Sequence, residues 1–127
     1  MKIELDEVLS AKNRIDAYSS EGLLINATHY EGSLIITPDR IITDWPPRSP
    51  DDLAVQHMQC LIDTEPEVLL LGTGTQLRFP ANSVLEPLIQ ARIGFEVMDT
   101  GAACRAYNFM MGEGRRVVAA LIMLAQD

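Results

Sequence analysis

The chain reads as a single α/β domain of three layers, with a central mixed sheet, helices packed on it and a small front β layer. Three observations predict this. Short β-branched runs separated by turn residues fill the stretch before residue 45, as antiparallel strands do. A continuous apolar run at 68–71 closes on Gly72-Thr73-Gly74, the mark of a strand buried on both faces, and 95–98 reads as another short buried strand ending in Asp99-Thr100-Gly101, each followed by helix-patterned sequence. A last β-branched run then follows at 117–124.

Element by element, residues 22–27 (GLLINA), 33–37 (SLIIT) and 40–44 (RIITD) are the expected front strands, divided by Glu31-Gly32 and Pro38-Asp39. The three prolines in 45–50 (WPPRSP) cannot continue a sheet, because each removes a backbone donor. They lead into a helix with Ser49 as N-cap and Pro50 at its first position, ending near Thr64 before Pro66. Its expected inner face is Leu53, His57, Cys60 and Leu61. A second helix is expected over 84–92, with Ser83 and Glu86 spaced as a capping box and Gly94 as the stop. A third, over 102–111, presents Ala103, Tyr107 and Met110 at helical spacing and closes on Gly112 and Gly114. For residues 117–124 the alanines permit a helix, but the length and β-branching of the run favour an internal strand, which is the expectation. Residues 1–14 read as a polar leader and 15–127 as the domain.

With 127 residues, 47% of them apolar and 22% charged, the chain can remove about two-thirds of its surface from water in one core. The net charge of −8 would be repelled by a phosphate backbone, so nucleic acid is not an expected partner. No stretch approaches the roughly 20 apolar residues of a membrane span, and the opening MKIELDEVLS has no uninterrupted apolar core. Membrane insertion and a targeting peptide are therefore not expected, and the cytoplasm is the expected compartment. Cys60 and Cys104 stand 44 positions apart with no CxxC, so neither a disulfide framework nor a closed zinc site is expected.

The candidate motifs each meet a plainer reading. Gly72-Thr73-Gly74 after a buried strand could cradle a phosphate, but position 77 is Leu77 and no Gly-Lys pair follows, so a tight turn is favoured. Asp99-Thr100-Gly101-Ala102 spells the active-site string of a retroviral-type aspartic protease. The helix-patterned sequence after it and the 25 residues remaining cannot supply that all-β enzyme, and capping by Asp99 or Thr100 is favoured. His57 and Cys60 lack two further metal ligands, so no metal or cofactor is expected. Cys104 beside Arg105 is read as a buried, inert thiol, and Trp45 as a cover over a core edge.

One geometric expectation is sharper. Ligands of open α/β sheets collect outside the carboxyl ends of the strands, where the loops 72–76 and 99–101 lie. If they share a rim, Thr73, Gly74, Asp99 and Thr100 would line it. The start of the third helix would then attract an anion, with Arg105, Tyr107 and Asn108 as accessories.

The strings 66–74 (PEVLLLGTG), 94–108 (GFEVMDTGAACRAYN) and 113–121 (EGRRVVAAL) are specific in combination. With 30–33 (YEGS) and Trp45-Pro46 upstream, they resemble the family of small domains that includes the mitochondrial complex I assembly factor three and the adipogenesis-associated Mth-domain protein. The resemblance spans residues 15–124. It implies a compact three-layer α/β domain and, from the mitochondrial members, assembly work through protein partners, and it carries across no catalytic residue. The lack of a presequence suggests a bacterial-type member. The first functional expectation is thus a non-catalytic interaction or assembly-factor-like module with an unidentified protein partner and unspecified oligomeric state. The alternative is a small-molecule or anion binder, or an enzyme, using the rim.

Overall fold

A computed structural model of the chain describes residues 12–123. Five strands make the central sheet, in the order β5-β4-β8-β6-β7. These are β4 (Leu34–Ile36), β5 (Ile41–Ile42), β6 (Val68–Gly72), β7 (Phe95–Met98) and β8 (Val117–Leu121). β8 sits at the centre, antiparallel to β4 and parallel to β6, and β6 is parallel to β7. A separate antiparallel sheet holds β1 (Ile15–Ser19), β2 (Gly22–Ile25) and β3 (Thr28–Tyr30). Three helices complete the fold: α1 (Val55–Asp63), α2 (Asn82–Gln90) and α3 (Thr100–Gly112).

The inner strands β4, β8 and β6 are buried on both faces, and their alternation sorts the core into two clusters, whereas β7, expected to be a buried strand, lies at the sheet edge with Glu96 exposed and no residue fully buried. Leu34, Ile36, Leu70, Val117, Ala119 and Leu121 face the side covered by α3 and the small sheet. Ile35, Leu69, Leu71, Val118 and Ala120 face α1 and α2, with Trp45 and Leu53. This gives three layers, as the pattern predicts. The helices take opposite faces because β6–α2–β7 steps outward whereas β7–α3–β8 returns across β6, and crossovers of one hand then alternate sides. Small Ala119 and Ala120 at the centre of β8 leave room for large side chains from both layers.

Several local expectations are corrected. The front half is divided between the sheets, since β4 and β5 join the central one and only residues 15–30 form the small layer. Residues 22–27 are not all strand, because Asn26 and Ala27 have φ of 51° and 68° and make the two-residue turn between β2 and β3. Side chains hold that turn: Asn26 Oδ1 accepts from Arg14 N at 2.9 Å, and Ala27 N donates to Asp16 Oδ2 at 2.9 Å. β1 and β3 escape the pattern because they are edge strands with little buried surface. Only Ile15 of β1 is buried.

The helix expected from Pro50 to Thr64 is broken. Pro50–Asp52 is a single 3-10 turn with Ser49 as its N-cap, making no side-chain bond. Leu53 and Ala54 are extended, which drives Leu53 into the core, and Met58 and Leu61 form the buried face of α1. The Ser83–Glu86 capping box does not form. α2 starts earlier, with Ala81 as N-cap, so that Ser83 is already inside the helix. Residues 1–11 of the expected leader and Leu124 of the expected last strand lie outside the described residues. Asn13 is bonded into the body, its Nδ2 donating to Thr37 O at 2.9 Å and Arg40 O at 3.1 Å.

Candidate functional site

At the carboxyl ends of β6 and β7 the chain leaves for opposite faces, and such a switch point ordinarily opens a crevice. Here direct bonds close it. Thr73 N donates to Met98 O at 2.9 Å, Thr100 N to Gly74 O at 2.9 Å, and Ile122 N to Gly72 O at 3.0 Å. Thr100, 1% exposed, completes the closure: its Oγ1 accepts from Gly74 N at 2.8 Å and donates to Ile122 O at 2.7 Å. The two loops therefore adjoin, but their shared edge is stitched rather than open. Gly72 is what permits this approach, since a Cβ there would lie 3.0 Å from both Cα and Oγ1 of Thr100.

The start of α3 is likewise occupied by the protein itself. Asp99 is its N-cap, with Oδ1 accepting from Ala102 N at 2.8 Å, as the capping reading expects. A carboxylate at this position already complements the helix dipole and disfavours a second anion. Gly101 has a packing reason, because a Cβ there would meet Tyr18 Cε1 at 2.9 Å.

The accessory residues face the seam between α3 and β1. Arg105 Nη1 donates to the Tyr18 hydroxyl. Tyr107, fully buried, donates its hydroxyl to Asn13 O at 2.8 Å. Asn108 acts as a surrogate strand, accepting from Ile15 N at 2.9 Å and donating to Ile15 O at 2.7 Å. Of the seven residues expected at the rim, Thr73 and Gly74 line an open polar cavity, and Thr100 borders another. Asp99, Arg105, Tyr107 and Asn108 line neither of these cavities, and all four are engaged in bonds that fix α3.

Two cavities flank the stitched edge. One, of about 420 Å³, lies between the β1–β2 turn, His29, Glu31 and the end of β8 at Ile122 and Met123. The other, of about 260 Å³, lies on the far side of Met123 among Arg48, Ser49, the loop after β6 and Arg78. The sequence reading missed Arg48 and Arg78. Their only signal was position, one in the proline segment and one in the loop after a buried strand.

The remaining reactive candidates are held in unreactive settings. Burial pushes the Cys104 thiol up to about 12, against an opposing pull from Arg105. Burial also raises Cys60, whose Sγ donates to His57 O at 3.3 Å. His57 Nδ1 accepts from Ala54 N at 3.0 Å and so serves the start of α1. Among the described residues, no group of three His, Cys, Asp or Glu side chains is placed to hold a metal ion. Nor is any helix there long and apolar enough to cross a membrane. Trp45 is buried in the cluster that also holds Met58 and Leu61, its ring centroid 6.3 Å from that of His57.

Comparison with known proteins agrees with this architecture. A crystal structure of a Bordetella parapertussis protein superposes with a TM-score of 0.82 at 35% identity, covering 89% of this chain and 97% of that one. The solution structure of a Mth938-like domain from Bordetella pertussis gives 0.79 at 28% identity, covering 94% and 89%. In sequence, the chain is 37% identical over 115 residues to the Danio rerio NADH dehydrogenase [ubiquinone] 1 alpha subcomplex assembly factor 3, covering 89% of this chain and 66% of that protein. The human counterpart is 34% identical, with 59% of its length covered. The chain thus spans about three-fifths to two-thirds of these curated relatives. Residues 15–122 match the family model described as "Protein of unknown function (DUF498/DUF598)", and the chain belongs to that family.

Proposed function

We propose that the protein is a non-catalytic interaction module of the assembly-factor type, acting in the cytoplasm on a protein partner through the single domain 15–127. The observation that carries this reading is the 37% identity, over 89% of the chain, to a relative named as a respiratory-complex assembly factor. The site geometry supports it, because the residues that resemble catalytic machinery are engaged in holding α3. A docking element is also present. In the loop between β6 and α2, Leu77 and Phe79 are 53% and 71% exposed, although burying either side chain would stabilise the protein by about 1.5–3 kcal/mol. A partner surface that covers them recovers that free energy.

The test is depletion of the protein in its own cells, with native gels following assembly of NADH dehydrogenase and other multi-subunit complexes. Assembly intermediates should accumulate, wild-type protein should clear them, and a folded Phe79→Ser variant should not. Normal assembly kinetics in the depleted cells would rule the reading out.

A further inference from the structure

The cavity of about 260 Å³ beside the β6–α2 loop has a consistent chemistry. Arg48 and Arg78 line it, and no carboxylate does. The Arg48 guanidinium has no ion-pair or hydrogen-bond partner among the described residues. The Ser49 hydroxyl makes no capping bond, and the amides of Thr75 and Gln76 have no partner within the described residues. In a chain of net charge −8 these donors form a locally positive wall, bordered by Asp51, which accepts from Arg78, and by Asp52, which accepts from Arg48 N at 3.0 Å.

We propose that this cavity binds a small oxyanion ligand, a phosphate or carboxylate group on a metabolite-sized molecule. Guanidinium groups pair with either anion through two parallel N–H bonds, and backbone amides add donors that need no counter-ion. The volume falls just below the about 300–1,000 Å³ usual for ligand pockets, which favours a compact ligand. Arg78 is held in reserve by Asp51, which accepts from its Nη2 at 2.9 and 3.0 Å on two exposed side chains. An exposed pair of this kind is worth only about 0–1 kcal/mol, so an entering anion can take the guanidinium from Asp51. This site is separate from the docking reading, since it needs Arg48 and not Phe79.

The experiment is titration of the whole protein with inorganic phosphate and, separately, succinate, at constant ionic strength, followed by amide and arginine side-chain NMR. The shifts should saturate and centre on Arg48 and residues 73–78. Arg48→Ala, which removes no side-chain bond among the described residues, should weaken binding about tenfold, the loss expected for one charge-assisted pair. Asp51→Asn should tighten it several-fold by releasing Arg78, an effect that a merely structural role for these residues does not produce. Phosphate alone binding marks a phosphate site, and succinate alone a carboxylate site. Absence of saturation with both probes, or equal affinity in wild type, Arg48→Ala and Asp51→Asn, would overturn the proposal.

Discussion

α3 and the β6–α2 loop both begin at the carboxyl edge of the central sheet, yet they use their polar groups in opposite ways. α3 spends them inside the molecule. Asp99 caps its start, Thr100 ties three chain segments together, and Tyr107 and Asn108 hold the residues leading into the small sheet. The loop spends Thr73, Gly74 and Arg78 but leaves the backbone amides of Thr75 and Gln76, and the Arg48 guanidinium beside it, without a partner among the described residues, and it turns Leu77 and Phe79 to solvent. A polar motif is thus no sign of a site by itself. What distinguishes a site is hydrogen-bonding capacity that the fold leaves unused.

The contrast can be broken most sharply at Cys104. Burial holds its thiol up at about 12, so the thiolate is far scarcer in the native protein than in the unfolded chain. Native alkylation at pH 8 should be correspondingly slow, and rapid labelling would show α3 to be loosely packed. The folded pKa is raised, so the unfolded state loses its proton first and stability should decline as pH rises above about 9, Tyr107 adding to the decline.

Thr100→Val should come next. It keeps the shape but strands Gly74 N and Ile122 O, and urea unfolding should reveal a loss of about 2–4 kcal/mol. Asn108→Ala should cost about 2 kcal/mol, with amide exchange accelerated in the small sheet and little changed in α1 and α2. The smallest effect belongs to the surface. Asp39 is held below the usual carboxylate range by the Thr37 hydroxyl and then Arg116, and Glu67 by Arg115. Their folded values are depressed, so their contribution is present above about pH 4.5 and fades as pH falls through the native values, a shallow acid limb in a pH series of melting curves.

Much of the layer structure was legible because it follows from burial. The runs 68–71 and 117–121 are apolar at every position, as strands buried on both faces are, whereas 95–98, expected to be buried as well, is an edge strand with Glu96 exposed and its other residues only partly buried. The Asp99 cap was legible for the same local reason. The divided front half was not, because the partner of β4 is β8, more than 80 residues away, and no short-range pattern encodes that pairing. The turn at Asn26-Ala27 was hidden by an alanine in left-handed conformation, held there by Asp16 and Asn26 side chains. The rim was placed at the correct edge, but its contents were misread. Arg105, Tyr107 and Asn108 looked available because their partners, Tyr18, Asn13 and Ile15, are remote in sequence. Arg48 looked incidental because nothing in a proline segment announces a cavity.

Which arginine is free to meet a ligand is decided by one measurement: the phosphate dissociation constant of Arg105→Ala set beside that of Arg48→Ala. Unchanged affinity in Arg105→Ala and about tenfold weaker binding in Arg48→Ala is the predicted pair. The reverse, with Arg105→Ala losing phosphate and Arg48→Ala keeping it, would contradict the account and return the site to the start of α3.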